Sequence, residues 1–289
     1  MRRTRGVCAL VVIVLIGAVS AQGLAQGFSW WTYDSVLEEI QDRGTLRVGL
    51  GLFAPWSACN ADGDLIGFEI DVATKLADDI GVNVEFERTN WNYIIPALVA
   101  EEFDAIISGL AILPGRNLKV NYTSPYNGIG VYLVANVEKA SDLEKLADFN
   151  DSSVTIATRR GASSVGFVVS VFPEAMLLLS DSDTEVIEAV VSGDADAAAA
   201  FEPNQETWVA GNPETLYLPF EEPFASEVGA MAIRKGDLDT LNFFNSWIAA
   251  NKANGWLEQR RHYWFETREW DEQVATDPDT IAECDESFQ

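Results

Sequence analysis

Apolar and polar positions along this 289-residue chain change period repeatedly, and each change marks a predicted element. In TLRVGL, Leu46, Val48 and Leu50 alternate with other residues, the period of a strand. The segment before it, Ser35 to Arg43, reads as a short helix ending at Gly44. NADGDLIGFEI carries the Asp-Gly punctuation of a hairpin or tight turn. Val72, Leu76, Ala77 and Ile80 then fall at helical spacing, closed by Gly81. NVEFERT is a further strand, Tyr93 to Glu101 a helix, and FDAIISGL a buried strand running into a loop.

The pattern repeats in the second half. SVTIAT is a strand, RRGASS a turn into a helix, and Thr184 to Val191 another helix. ADAAAAF is a buried strand whose small residues imply close packing, and VGAMAIRK is a strand. Leu238 to Asn254 is a helix with Phe244, Trp247 and Ile248 on one face. Strands alternating with helices of about ten residues predict an α/β fold. Extended segments near Gly128 to Val134 and Glu227 to Ile233 join the two sets, so two lobes are expected. Residues 45–128 with 233–270 would form lobe 1 and 129–232 lobe 2. An N-terminal extension with its helix (22–44) and a weakly patterned acidic tail (271–289) flank them.

Charge and cysteine usage narrow the classes. Arg2, Arg3 and Arg5 precede an apolar run from Val7 to Val19, which predicts a signal peptide over 1–21, cut after Ala21 or, as a second candidate, after Ala25. That run, about 13 residues, is short for a membrane span, so a soluble exported protein is expected. Losing those arginines and no acid would take the formal charge from −26 to −29. Such a surface excludes nucleic acid as a partner, because no basic patch meets the phosphates. His262 is the sole histidine and CxxC is absent, which argues against a zinc site or a histidine triad, and no metal or cofactor is expected. Cys59 and Cys284 remain after processing, and a bridge or two free thiols are both open. Glu69 and Asp71 look like paired catalytic carboxylates, but they open a helix and are expected to cap it or oppose its dipole.

Taken together and in order, LRVGLGLFAPW, GDLIGFEIDVATKLA, WNYIIPALVAEEFDAIISGLAILPGR, YTSPY and VVSGDADA resemble the family 3 periplasmic solute-binding proteins of ABC importers. The resemblance runs from about Ser35 to Trp264. It implies a type II, two-lobed venus-flytrap fold with two hinge strands and a ligand in the interlobe cleft. Arg116, closing GLAILPGR, matches the arginine that forks onto a ligand carboxylate, a task its planar donors suit. Backbone amides near Ala111 and Ser163 would complete that cradle.

The amine half departs from the family. Ala111 stands where a hydroxyl residue is usual, and Phe201 where a carboxylate is usual. Glu202 is adjacent but reaches the cleft only if the strand bulges. Ser108 and the Gly109 carbonyl remain available. Phe53 and Trp91 match the residues that sandwich the ligand, Phe201 offers a third wall, and Trp56 lies close by. Leu50 lies where relatives selecting basic side chains carry an acid.

The implied function is capture of a small carboxylate-bearing or zwitterionic ligand in the periplasm and delivery to a membrane permease, by a monomer with no catalytic residues. An amino acid with an uncharged side chain comes first, then a zwitterionic derivative such as ectoine or a betaine, and a carboxylate with no cation third. The alternatives are a secreted enzyme similar to cyclohexadienyl dehydratase, with Glu202 as general acid, and a ligand-sensing module.

Overall fold

The computed structural model describes residues 35–267, 269–275 and 284, so the expected signal peptide and most of the acidic tail lie outside the described residues. Helix α1 (Val36–Arg43) starts at Ser35, whose side chain accepts from the Glu38 amide, and stops at Gly44, at a left-handed φ of 74°. Strand β1 (Thr45–Leu50) buries the three alternating apolar residues completely. The hairpin signal becomes β2 (Ala58–Cys59) and β3 (Leu65–Ile66), an antiparallel pair. Helix α2 (Phe68–Ile80) ends at Gly81, and β4 (Asn83–Arg88) returns parallel to β1. Helix α3 (Ile94–Val99) is shorter than the expected 93–101, because Glu101 takes a φ of 65° and breaks the helical path. Next come β5 (Ala105–Ile106), parallel to β1, the single turn α4 (Pro114–Asn117) and β6 (Asn121–Tyr122).

Strand β7 (Asn127–Asn136) leaves this sheet and founds a second one, followed by the short α5 (Val137–Ala140). The second sheet then receives β8 (Thr155–Arg159), α6 (Ser164–Val171), β9 (Met176–Ser180) and α7 (Asp183–Ser192). Strand β10 (Ala197–Phe201) is buried at every position, and four alanines let helices approach both of its faces. Helix α8 (Asn204–Gly211), β11 (Leu216–Tyr217) and β12 (Ala225–Gly229) complete the lobe. VGAMAIRK, expected as one strand, is divided. It contributes the end of β12 to the second sheet and β13 (Ala232–Ile233) to the first, since the chain changes sheets across Ala230 and Met231. Helix α9 (Leu238–Ala253) then buries Phe244, Trp247 and Ile248 against lobe 1, and α10 (Trp256–His262) follows. Removing a ring buried that completely, as in Phe244→Ala, costs about 3–5 kcal/mol.

The strand orders are β4-β1-β5-β13-β6 in the first sheet and β11-β7-β10-β8-β9 in the second, with β12 on β7. The chain therefore crosses between lobes twice, once into β7 and once out of β12, and these strands pair antiparallel. Gly229 lies opposite Asn127 where they cross, and a Cβ there would stand 2.2 Å from Asn127 Oδ1. Two α/β lobes on two adjacent extended connections form a type II venus-flytrap, as the family resemblance implied. Helix α1 is tied to lobe 1 because Asp237 and Thr240, at the start of α9, accept its first amides at 2.9 and 2.8 Å. Cys59 and Cys284 form a disulfide, which settles the open question of the thiols.

Candidate functional site

The loops that follow β1, β5, β8 and β10 leave the carboxyl ends of parallel strands, where open α/β sheets offer ligands a crevice. Phe53, Trp91, Gly109, Ala111, Arg116, Ser163 and Phe201, all expected in the cleft, line one narrow cavity there with Trp56. Ser108 and Glu202 do not. The Ser108 hydroxyl is turned away and accepts from the Gly51 amide at 3.1 Å. Glu202 follows strand alternation, facing Gly130 N at 3.5 Å and Arg261 at 3.8 Å, so no bulge brings it inward.

Arg116 spans the lobes. Its Nη2 donates to the Gly161 carbonyl at 2.8 Å and its Nη1 to the Ala111 carbonyl at 3.3 Å. The backbone explains the second contact. Ile112 N donates to Val228 O and Ala230 N to Leu110 O, so Ala111 turns its own N–H and C=O to the opposite side. There its carbonyl also accepts from Tyr122 Oη at 2.9 Å. Gly161 holds φ 74°, and a Cβ on it would meet Asn92 Oδ1 at 2.1 Å, so only glycine lets the lobes meet this closely.

The walls are aromatic. Phe53 stacks on Trp56 with centroids 4.7 Å apart and meets Phe201 edge-on at 6.1 Å. The indole N–H groups of Trp56 and Trp91 are buried with no acceptor among the described residues. Gly109 must be glycine, since its φ is 61° and a Cβ would lie 2.4 Å from Trp56 Cδ1.

Three charged residues at the site escaped sequence reasoning. Arg159 of lobe 2 lies over the rings of Phe53 at 4.9 Å and Trp91 at 5.1 Å, both in lobe 1. Asp183, first residue of α7, pairs with it at 2.8 Å. Burial lowers the Arg159 pKa, with Asp183 opposing and Arg116 reinforcing the shift. Burial also raises the Asp183 pKa, against the pull of Arg159. The third is Glu227 on β12, which lines the cavity beside Arg116. Burial raises its carboxyl pKa, while the Ser163 side chain and the Arg116 charge draw it back. The arginine pair directly before GASS was the available signal for Arg159; Glu227 had none beyond its place in a hinge segment. Beyond the Phe53–Arg159–Trp91 stack, a crevice of about 530 Å³ opens to solvent, bounded by Asp183, Trp208 and Ala275.

Glu69 and Asp71 stand in the first turn of α2, the position that opposes its dipole, as one of the two expectations had it. Neither caps α2, whose N-cap Gly67 has no side-chain hydrogen bond. Fully buried Glu69 accepts from Gly109 N at 2.8 Å, Tyr126 Oη at 2.5 Å and Asn127 Nδ2 at 3.3 Å, joining the site loop to the hinge. Asp71 accepts from Trp264 Nε1 at 2.6 Å.

Known proteins share this architecture. The profile of the bacterial extracellular solute-binding proteins, family 3, matches residues 46–267. The L-cystine-binding protein of Escherichia coli is 24% identical over 263 residues, 89% of this chain and 93% of its own. The cyclohexadienyl dehydratase of Pseudomonas aeruginosa is 23% identical over 255 residues, 88% of this chain and 95% of its own. Among solved structures, a binding component of an ABC transporter from Wolinella succinogenes, complexed with lysine, superposes with a TM-score of 0.74. That chain is 32% identical, and the match covers 80% of this chain and 100% of that one. With the profile spanning both lobes and both crossings between them, this chain belongs to the family 3 bacterial extracellular solute-binding proteins.

Proposed function

We propose that this chain is the extracytoplasmic binding subunit of an ABC importer. It takes an amino acid or a close derivative between its lobes and hands it to a membrane permease. Lobe 1 comprises 45–128 with 233–270 and lobe 2 comprises 129–232, the chain acts as a monomer, and a signal peptide over 1–21 exports it. The observation that carries the reading is Arg116, a guanidinium reaching from the Ala111 carbonyl of one lobe to the Gly161 carbonyl of the other. A ligand carboxylate on that fork gains two charge-assisted hydrogen bonds and favours the arrangement in which the lobes meet. The amide of Ser163 faces the same carboxylate, and Phe53, Trp91 and Phe201 hold the rest of the ligand.

No chemical step is assigned to this chain. The similarity to a dehydratase gives a second reading, supported by one observation: Glu227 is a buried carboxyl with a raised pKa inside the cavity, the condition a general acid requires. A thermal-shift screen over amino acids, L-cystine, betaines, ectoine and simple carboxylates tests the first reading, because a ligand of the folded form raises the melting temperature. An amino acid that raises it, with no conversion of prephenate to phenylpyruvate, supports transport. Steady turnover of prephenate overturns it in favour of the enzyme.

A further inference from the structure

The expected amine site is gone from β10. Phe201 ends that strand, packs edge-on against Phe53 and offers an ammonium no carboxylate oxygen. A carboxylate reaches the same cavity from another element. On β12, Ser226 and Val228 face solvent, so alternation turns Glu227 to the interlobe side, in register with Ile129, which also lines the cavity. Glu227 is the one acid on that cavity among the described residues, since Asp183 borders the outer crevice and is matched to Arg159 at 2.8 Å. Its Oε2 is buried without a hydrogen-bond donor among the described residues. The charge that acts on it is cationic, that of Arg116, and the neutral Ser163 hydroxyl lies within hydrogen-bonding reach of its carboxyl.

An α-amino acid carries its carboxylate and ammonium on a single carbon. A site for it therefore needs a forked cation and an acceptor oxygen side by side, which Arg116 and Glu227 supply. We propose that Glu227 receives the ammonium of an α-amino acid whose carboxylate Arg116 holds, the amine contact having moved from the end of β10 to the hinge strand β12. This rests on reading Arg116 as the carboxylate clamp. Because β12 pairs with β7 at the crossing, the amine is held by the element about which the lobes turn, and amino acids are favoured over carboxylates lacking the amine.

Calorimetric titration tests this with three pairs that differ only in the amine: L-leucine and isocaproate, L-phenylalanine and hydrocinnamate, L-glutamine and glutaramate. The native protein is expected to favour at least one amino acid over its partner by about tenfold or more, as a buried charge-assisted contact provides. Glu227→Gln, nearly isosteric, should bring that ratio within about threefold by weakening the amino acid alone. Glu227→Asp should keep the preference, and adding Phe201→Asp to Glu227→Gln should restore it. An unchanged melting temperature of Glu227→Gln shows that the fold persists. A preference that survives Glu227→Gln, or two partners weakened equally, overturns the proposal. Native protein binding the amine-free acids as well as the amino acids overturns it while leaving the Arg116 reading standing. Native protein binding neither set overturns both.

Discussion

Glu69 offers a stability switch whose sign and size follow from its surroundings. Its carboxyl is wholly buried, and burial pushes its pKa from 4.5 to about 7, despite hydrogen bonds from Tyr126 and Gly109 that pull it down. The folded state thus holds this proton more tightly than the unfolded chain does. Below about 4.5 both states are protonated and the folded state has its full advantage. Between that pH and about 7 only the folded state keeps the proton, so stability falls as pH rises, then levels off. A difference of about 2.5 pKa units corresponds to roughly 3 kcal/mol. Glu69→Gln cannot ionise, yet its amide oxygen can still accept from Gly109 and Asn127, while its NH₂ donates to the Tyr126 oxygen. Urea unfolding of both proteins at several pH values isolates the effect, because subtraction removes the slope from the other acids. The native-minus-variant difference should decline by roughly 3 kcal/mol from about pH 4.5 to 7. A difference that is flat, or that rises, refutes the argument and places the Glu69 titration outside this window.

Arg116→Ala should remove roughly 2–5 kcal/mol of ligand affinity, since a buried carboxylate would lose its charge partner. Calorimetry on whichever amino acid binds the native protein measures this, and affinity retained within about twofold rejects the site. Gly229→Ala should cost about 1–3 kcal/mol in urea unfolding, because its Cβ would press on Asn127 at the crossing of the hinge strands; an unchanged midpoint contradicts that packing. Replacing Cys59 and Cys284 by serine should lower unfolding free energy by about 2–5 kcal/mol, the bridge joining residues 225 apart in sequence. Equal midpoints with and without the bridge would show that it does not constrain the unfolded chain.

The elements most legible in the sequence are those whose ends are written locally. Ser35 and Gly44 bracket α1, Gly81 stops α2, and the alternation of Leu46, Val48 and Leu50 needs no distant residue to be read. The division of VGAMAIRK was not legible, because changing sheets at Ala230 and Met231 is a tertiary event without a turn residue. The cleft shows the same contrast. Arg116, Ser163 and the aromatic walls sit in motifs that keep their order along the chain. Glu69 and Glu227 act through partners brought from other segments, and each sits in an otherwise ordinary helix or strand pattern. Glu202 illustrates the converse: strand alternation alone gave its direction correctly, while its nearness to Phe201 in sequence made it look available.

The disulfide has a practical consequence for anyone handling this protein. Ala275 N donates to Cys59 O at 2.8 Å, Val274 bridges Asn60, and both residues border the solvent-open crevice beyond Arg159. Residues 274 and 275 therefore form part of the rim of that crevice, and the Cys59–Cys284 bridge ties the chain to lobe 1. Protein produced in a reducing cytosol would begin without that bridge, and a purification handle fused after Gln289 would follow Cys284 closely in sequence. Uptake rates compared across preparations are meaningful only when their thiol oxidation and their handles match.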